Sequence, residues 1–72
     1  MQVYAIQVED SDSLDLKAIV LTEDMAQERF AEIASSYGYS LKTATRYMRI
    51  EIWDAGTGDY IDDLKVVIPE GA

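Results

Sequence analysis

Acidic side chains are the residues of this 72-residue chain whose type and spacing best suggest a chemical role. Asp24, Glu28 and Glu32 recur at every fourth position. Side chains four residues apart lie on one side of an α-helix, and the rise between them is about 6 Å. That spacing is comparable to the spacing of phosphates along one DNA strand. The row therefore predicts a negatively charged helix surface suited to a basic partner.

A second acidic cluster lies in the run from Asp10 to Asp15, where Asp and Ser alternate before Leu14. Alternating Asp side chains can converge on Ca²⁺, but an EF-hand loop needs an oxygen ligand at its fifth position, Gly at its sixth and Glu at its twelfth. Counted from Asp10, these positions hold Leu14, Asp15 and Leu21. We therefore interpret the run as an acidic hairpin turn, with Asp10 and Asp12 as candidate partner contacts and no metal site.

Few side chains in this sequence are suited to catalysis. The chain has no His and no Cys, so the common nucleophile–base pairs cannot form. Carboxylate pairs can be drawn between Glu51 and Asp62 or Asp63, but many acidic proteins offer such pairs. The segment from Gly56 to Gly58 lacks the Lys-Ser/Thr pair of a phosphate-binding loop. We predict no catalytic residue, no cofactor and no enzymatic activity.

Aromatic and basic side chains form a third candidate site near Tyr47, Arg49 and Trp53. Alternation after Thr45 places these residues on the outer face of a strand, and aromatic and arginine side chains are enriched in protein interfaces. The patch predicted on that outer face comprises Val3, Ile19, Tyr47, Arg49, Glu51, Trp53 and Val67. The patch either binds a partner or a second copy of the chain, or it is hidden by the register of the sheet or by a long loop.

The element that positions the acidic row is an amphipathic helix from Thr22 to Tyr37. Thr22 is a good N-cap, and Gly38 is able to end the helix in a left-handed conformation. The apolar stripe on the opposite side comprises Ala26, Phe30, Ile33, Ala34 and Tyr37. Because this stripe must face a core, the acidic row faces solvent.

Four strands accompany this helix. They are predicted at 2–8, 14–21, 45–53 and 60–68, with the second strand central because its second half, 18–21, is apolar on both sides. Residues 39–44 are left as a loop or the start of a strand, and 69–72 as a loose tail. The prediction is a single α+β domain spanning 1–72, with ββαββ order and an antiparallel four-stranded sheet covered by one helix.

The charge balance restricts the kind of partner. Fourteen acidic residues against six basic ones give a formal net charge of -8. Direct contact with nucleic acid or an anionic membrane is disfavoured, because both need a basic face. A basic protein surface is favoured. Neither a leader peptide nor an apolar run of about 20 residues is recognisable, so we expect a cytoplasmic protein.

The chain resembles the small accessory proteins of bacteriophages and other mobile elements. The resemblance covers most of the chain in layout, from the opening Met1-Gln-Val-Tyr4 and the apolar second strand to the Thr22-Glu-Asp-x-Ala26 start of the helix. Its size and charge are similar to those of anti-CRISPR inhibitors, which share a strategy more than a sequence. The resemblance implies an acidic inhibitor that occupies the basic groove of a host-defence effector in the host cytoplasm.

Two hypotheses follow. In the first, the protein is a non-enzymatic inhibitor that binds a basic nucleic-acid-binding site through the helix row and the acidic turns. In the second, it is a structural or regulatory module that self-associates as a homodimer through the aromatic sheet face, and the acidity serves only solubility.

Overall fold

The computed structural model describes residues 1–10 and 12–69, which form a sheet of four strands with two helices on one face. The elements are β1 (Gln2–Asp10), β2 (Ser13–Val20), α1 (Glu23–Ser36), α2 (Leu41–Tyr47), β3 (Met48–Asp54) and β4 (Tyr60–Leu64). All strand pairs are antiparallel, in the order β2-β1-β3-β4. The α+β class and the four-stranded antiparallel sheet are confirmed. Of the predicted tail, residues 70–72 lie outside the described residues.

The single-helix ββαββ order is wrong, because a second helix precedes the third strand. The side chain of Ser40 caps α2 by accepting a hydrogen bond from the Thr43 N–H at 3.2 Å, and Ala44 is buried beneath the helix. Two turns are too short to show a clear helical period in the sequence. Tyr47 is consequently the last residue of α2 and does not belong to the sheet.

Helix α1 begins and ends as predicted. The Thr22 hydroxyl accepts a hydrogen bond from the Met25 N–H at 3.1 Å, and Gly38 follows the last turn with a φ of 77°. Ala26, Phe30 and Ala34 are buried against the sheet. Complete burial of a phenylalanine side chain contributes about 1.5–3 kcal/mol, so Phe30 is a major anchor of the helix.

The core lies between the helices and the inner face of the two central strands. Alternation in β1 and β3 is confirmed, since both strands send every second side chain into this core. The buried members from the sheet are Tyr4, Ile6, Val8, Val20, Met48 and Ile50. Among residues 1–10 and 12–69, no helix covers the other face of the sheet.

Strand β2 lies at an edge of the sheet, so its predicted central position is wrong. Its register with β1 shifts at one point: Ala18 pairs with Ile6, but Leu16 pairs with Gln7, which leaves Lys17 as an extra residue. One extra residue reverses the alternation of a strand. Leu16 therefore lies on the outer face together with Ile19, and both are exposed.

The last strand is shorter than predicted, because β4 ends at Leu64. The Gln27 side chain forms hydrogen bonds with the backbone that follows β4. Its amide nitrogen donates to the Lys65 carbonyl at 2.9 Å, and its oxygen accepts from the Val67 N–H at 3.0 Å. These bonds tie residues 65–67 to α1. Ile68, the last residue of the predicted strand, is exposed and lies outside β4.

Candidate functional site

The acidic row is displayed as predicted along the solvent side of α1. Asp24, Glu28 and Glu32 are all exposed. The buried stripe of α1 fixes their direction, because it holds the opposite side of the helix against the sheet. Asp24 also lies in the first turn, where its carboxylate interacts favourably with the helix dipole.

Little cationic charge neutralises the acidic row. Arg29 approaches Glu32 at 3.6 Å, and both side chains are about half exposed. An exposed pair of this kind contributes only a few tenths of a kcal/mol. Within residues 1–10 and 12–69, the other ion pair joins Arg49 to Glu51 on the sheet. The row therefore keeps most of its negative potential.

Asp10 and Asp12 lie at the tip of the hairpin formed by β1 and β2, and both are exposed. The Ser13 hydroxyl donates to the Asp10 carbonyl at 3.3 Å and tightens the turn. Asp12 lines an open cleft of about 670 Å³ together with Tyr47 and Arg49. The cleft also contains Glu9, Asp63 and Arg46, so charges of both signs meet there.

Tyr47 belongs to a stack of three tyrosines beside the helices. Its ring centre lies 5.4 Å from that of Tyr39, which in turn lies 5.7 Å from that of Tyr37. The Lys17 ammonium lies 5.8 Å from the ring centre of Tyr37. This stack joins α1, α2 and β2 on the helix side, so Tyr47 does not share a surface with Trp53.

Glu51 is the most unusual residue of the outer sheet face, because this charged residue is only 7% exposed. Its carboxylate accepts hydrogen bonds from the Gln7 amide and, at 3.2 Å, from the indole N–H of Trp53. Arg49 Nε lies 3.2 Å from the other oxygen. A buried carboxylate needs such donors. This network fixes the orientation of Trp53.

A shallow apolar groove of about 290 Å³ runs along β1 on this outer face. Its floor consists of the short outward side chains of β1, namely Val3, Ala5 and Gln7. Larger side chains on the neighbouring strands form the walls: Leu16 and Ile19 on β2 and Trp53 on β3. The small residues of the central strand therefore create the groove.

The far side of Trp53 is supported by Tyr60. Their rings meet edge to face at a centroid distance of 5.7 Å. The Tyr60 hydroxyl donates to Asp63 at 2.8 Å, and this hydrogen bond raises the pKa of the Tyr60 phenol above its ordinary value of 10.0. The groove wall is thus held on one side by Glu51 and on the other by Tyr60.

The predicted site residues fall into separate surfaces. Asp12, Tyr47 and Arg49 meet at the hairpin-end cleft, and Arg49 is also connected to Trp53 through Glu51. The acidic row on α1 faces away from the sheet. Val67, predicted on the sheet face, is bound to α1. Sequence reasoning missed Gln7 and Leu16, and the exposed position of Leu16 depends on the bulge at Lys17.

Within residues 1–10 and 12–69, no group of three or more His, Cys, Asp or Glu side chains is arranged to hold a metal ion. The same part of the chain contains no helix of the length and apolarity needed to cross a membrane.

Comparison of the chain with protein-family models, curated proteins and solved structures finds no match. The exposed surfaces and contacts of the described residues are therefore the basis for a functional proposal.

Proposed function

We propose that the protein is a non-enzymatic binding module that occupies a basic, nucleic-acid-binding surface of another protein. The contact is the acidic ridge, defined as Asp24, Glu28 and Glu32. The observation that carries the proposal is the exposure of all three carboxylates on one side of α1, with a single weakly paired arginine beside them.

Electrostatic complementarity supports this use of the ridge. Carboxylates about 6 Å apart along a helix provide regularly spaced negative charge, as the phosphates of one DNA strand do. Like charges at this spacing cost the helix a few tenths of a kcal/mol each, and the net charge of -8 speeds association with a cationic surface. Asp10 and Asp12 extend the negative charge at the hairpin tip.

The resemblance to phage-encoded inhibitors defines the proposal further. In this form, the partner is a host-defence effector of the CRISPR–Cas type, and binding blocks its nucleic-acid site in the host cytoplasm. Inhibition of this kind needs only competition for the basic surface. It requires no cofactor and no catalytic residue.

The test is an affinity pull-down from a bacterial lysate at low and high salt, followed by mass spectrometry. We expect a basic nucleic-acid-binding protein that is retained at low salt and lost at high salt, because exposed charge pairs are screened. The variant Glu28→Lys/Glu32→Lys should weaken capture about tenfold or more without unfolding the domain.

The matched control is Asp59→Lys/Asp62→Lys, which changes the net charge by the same amount at exposed positions outside α1. Retention by the control, together with loss in the ridge variant, assigns binding to the ridge. Equal capture by wild type and the ridge variant would remove the ridge from the mechanism. A partner held equally at both salt concentrations would argue against electrostatic recognition.

A further inference from the structure

The outer face of the sheet carries a ridge and a groove side by side. Leu16 and Ile19 project from β2 and form an apolar ridge, called the Leu16–Ile19 ridge, whereas the groove follows the outward side chains of β1. Trp53 forms the opposite wall. Sheets that pack face to face do so by interdigitating their inner side chains. A surface with both shapes on one face is suited to that kind of contact.

We propose that this face is the interface of a homodimer in which two sheets pack against each other. In a two-fold contact the same patch serves both subunits, so it must be complementary to itself. The Leu16–Ile19 ridge of one copy fills the β1 groove of the other, and the reverse contact follows by symmetry. The proposal does not depend on the acidic ridge or on its partner.

Exposure of apolar side chains is the first argument for a covered face. Leu16 is 54% exposed and Ile19 is 58% exposed; Leu14 is exposed on the same strand, and Tyr60 is exposed beside Trp53. The last part of β2, from Ala18 to Val20, is apolar on both sides, as in strands buried on both faces. Yet β2 is an edge strand with one face open. A second copy of the chain would bury the outer side chains of β2, so that both faces of its apolar part are covered.

Size is the second argument. The domain measures 37 × 30 × 17 Å, and the short axis fits a single sheet with one helical layer. A standard interface buries about 800 Å² on each partner, which a face of this breadth is able to supply. Domains of this length have small cores and are often stabilised by oligomerisation.

Charge explains why a second copy fits the face better than a cationic partner. Leu16, Ile19 and Trp53 make the groove lining mostly apolar, although Asp54 also contributes to it. The ionised side chains beside the groove are Arg49, Glu51 and Asp63, and Glu51 is already paired with Arg49. Asp24, Glu28 and Glu32 lie on the other side of the sheet, beyond most of the range of screened repulsion, which is about 8–10 Å.

The sheet edges are less suited to self-association. Both edge strands contain an irregularity, at Lys17 in β2 and at Ile61 in β4. Bulges break the regular hydrogen-bond ladder and protect an edge from pairing with another chain. The outer face, where Leu16 and Ile19 project beside the groove, is better suited to a symmetric contact than either edge. The resulting dimer carries its two acidic ridges on opposite outer sides.

The test measures the oligomeric state of the full chain by sedimentation equilibrium from about 1 μM to about 1 mM, a range that covers micromolar to millimolar dissociation constants. We expect the wild-type mass to approach twice 8.1 kDa. Ile19→Asp places a charge in the interface and should weaken the dimer about a hundredfold. The matched control is Leu21→Asp, since Leu21 is 61% exposed and does not line the groove.

The chain has one tryptophan, and it lies in the groove wall, so its fluorescence reports on this face alone. We expect acrylamide quenching of Trp53 to fall as the wild-type concentration rises, and to stay constant in Ile19→Asp. Circular dichroism checks the fold of each variant. Should Ile19→Asp unfold, the milder Leu16→Ser substitution is expected to weaken the dimer about tenfold.

Three results would overturn the proposal. The first is a wild-type chain that stays monomeric over the whole range. The second is a dimer that Ile19→Asp or Leu16→Ser leaves unchanged, which would place the interface elsewhere. The third is a monomer that binds a different protein through Ile19, which would assign the face to that partner.

Discussion

Replacing Glu51 by Ala should destabilise the fold strongly, because three donors lose their acceptor. These donors are the Gln7 amide, the Trp53 indole and the Arg49 guanidinium. The Arg49 side chain is half exposed, so water replaces its lost partner at little cost in free energy. Gln7 and Trp53 are partly buried, and a hydrogen bond to a charged group contributes about 1.5–3 kcal/mol. Discounted for partial access of water, the expected loss is about 2–4 kcal/mol.

That loss is a large fraction of the stability of a domain this size, which is about 4–10 kcal/mol. It corresponds to a fall in Tm of roughly 10–25 °C. The assay is urea and thermal unfolding followed by circular dichroism, at one fixed protein concentration because self-association adds a concentration-dependent contribution. Trp53 fluorescence should also shift to the red as its N–H loses the carboxylate.

Two variants control for this effect. Glu51→Gln keeps one acceptor oxygen and should lose about half as much stability as Glu51→Ala. Glu28→Ala removes an exposed carboxylate and should stay within about 0.5 kcal/mol of wild type. If Glu51→Ala also stays within about 0.5 kcal/mol, the network does not stabilise the sheet and our argument for a fixed Trp53 is wrong.

Three further predictions concern local features. Gly38→Ala should lower the free energy of unfolding, measured in urea, by about 1–2 kcal/mol. The added Cβ meets no atom within 4 Å, but a φ of 77° is strained for an L-residue. An unchanged urea midpoint would contradict this prediction. Thr22→Ala should cost about 1 kcal/mol by the same assay through loss of the cap of α1, and Thr22→Ser should restore most of it. The Tyr60 phenol should titrate at higher pH than an ordinary tyrosine, as measured by ¹³C NMR, and Asp63→Ala, which removes the acceptor, should reduce the difference. Because the folded-state pKa of Tyr60 is raised, its contribution to stability is present below about pH 10 and is lost as the pH rises through the folded-state value.

The elements with strong periodic patterns were predictable from the sequence. Helix α1 was recognised from its apolar stripe, its Thr22 cap and Gly38, and the inner faces of β1 and β3 from strict alternation. These patterns reflect burial against the core, which acts directly on residue type. The exposure of the acidic ridge followed from the same pattern, because the two sides of one helix are not independent.

The remaining features depend on contacts that the chain order does not reveal. Helix α2 is short, and its start depends on one hydrogen bond from Thr43 to Ser40. The bulge at Lys17 reverses the face of Leu16, and one extra residue leaves no distinct pattern in an apolar strand. The groove required knowledge that β1, with its small outward side chains, lies between β2 and β3. Strand order is a long-range property.

The acidic ridge is proposed to occupy a basic nucleic-acid site of the partner. The most direct measurement is competition: the captured partner is loaded with a fluorescent DNA or RNA duplex, and displacement by the protein is followed by anisotropy. We predict displacement by wild type and by Asp59→Lys/Asp62→Lys, and displacement reduced about tenfold or more by Glu28→Lys/Glu32→Lys. A ternary complex in which partner, duplex and protein remain bound together would contradict the claim.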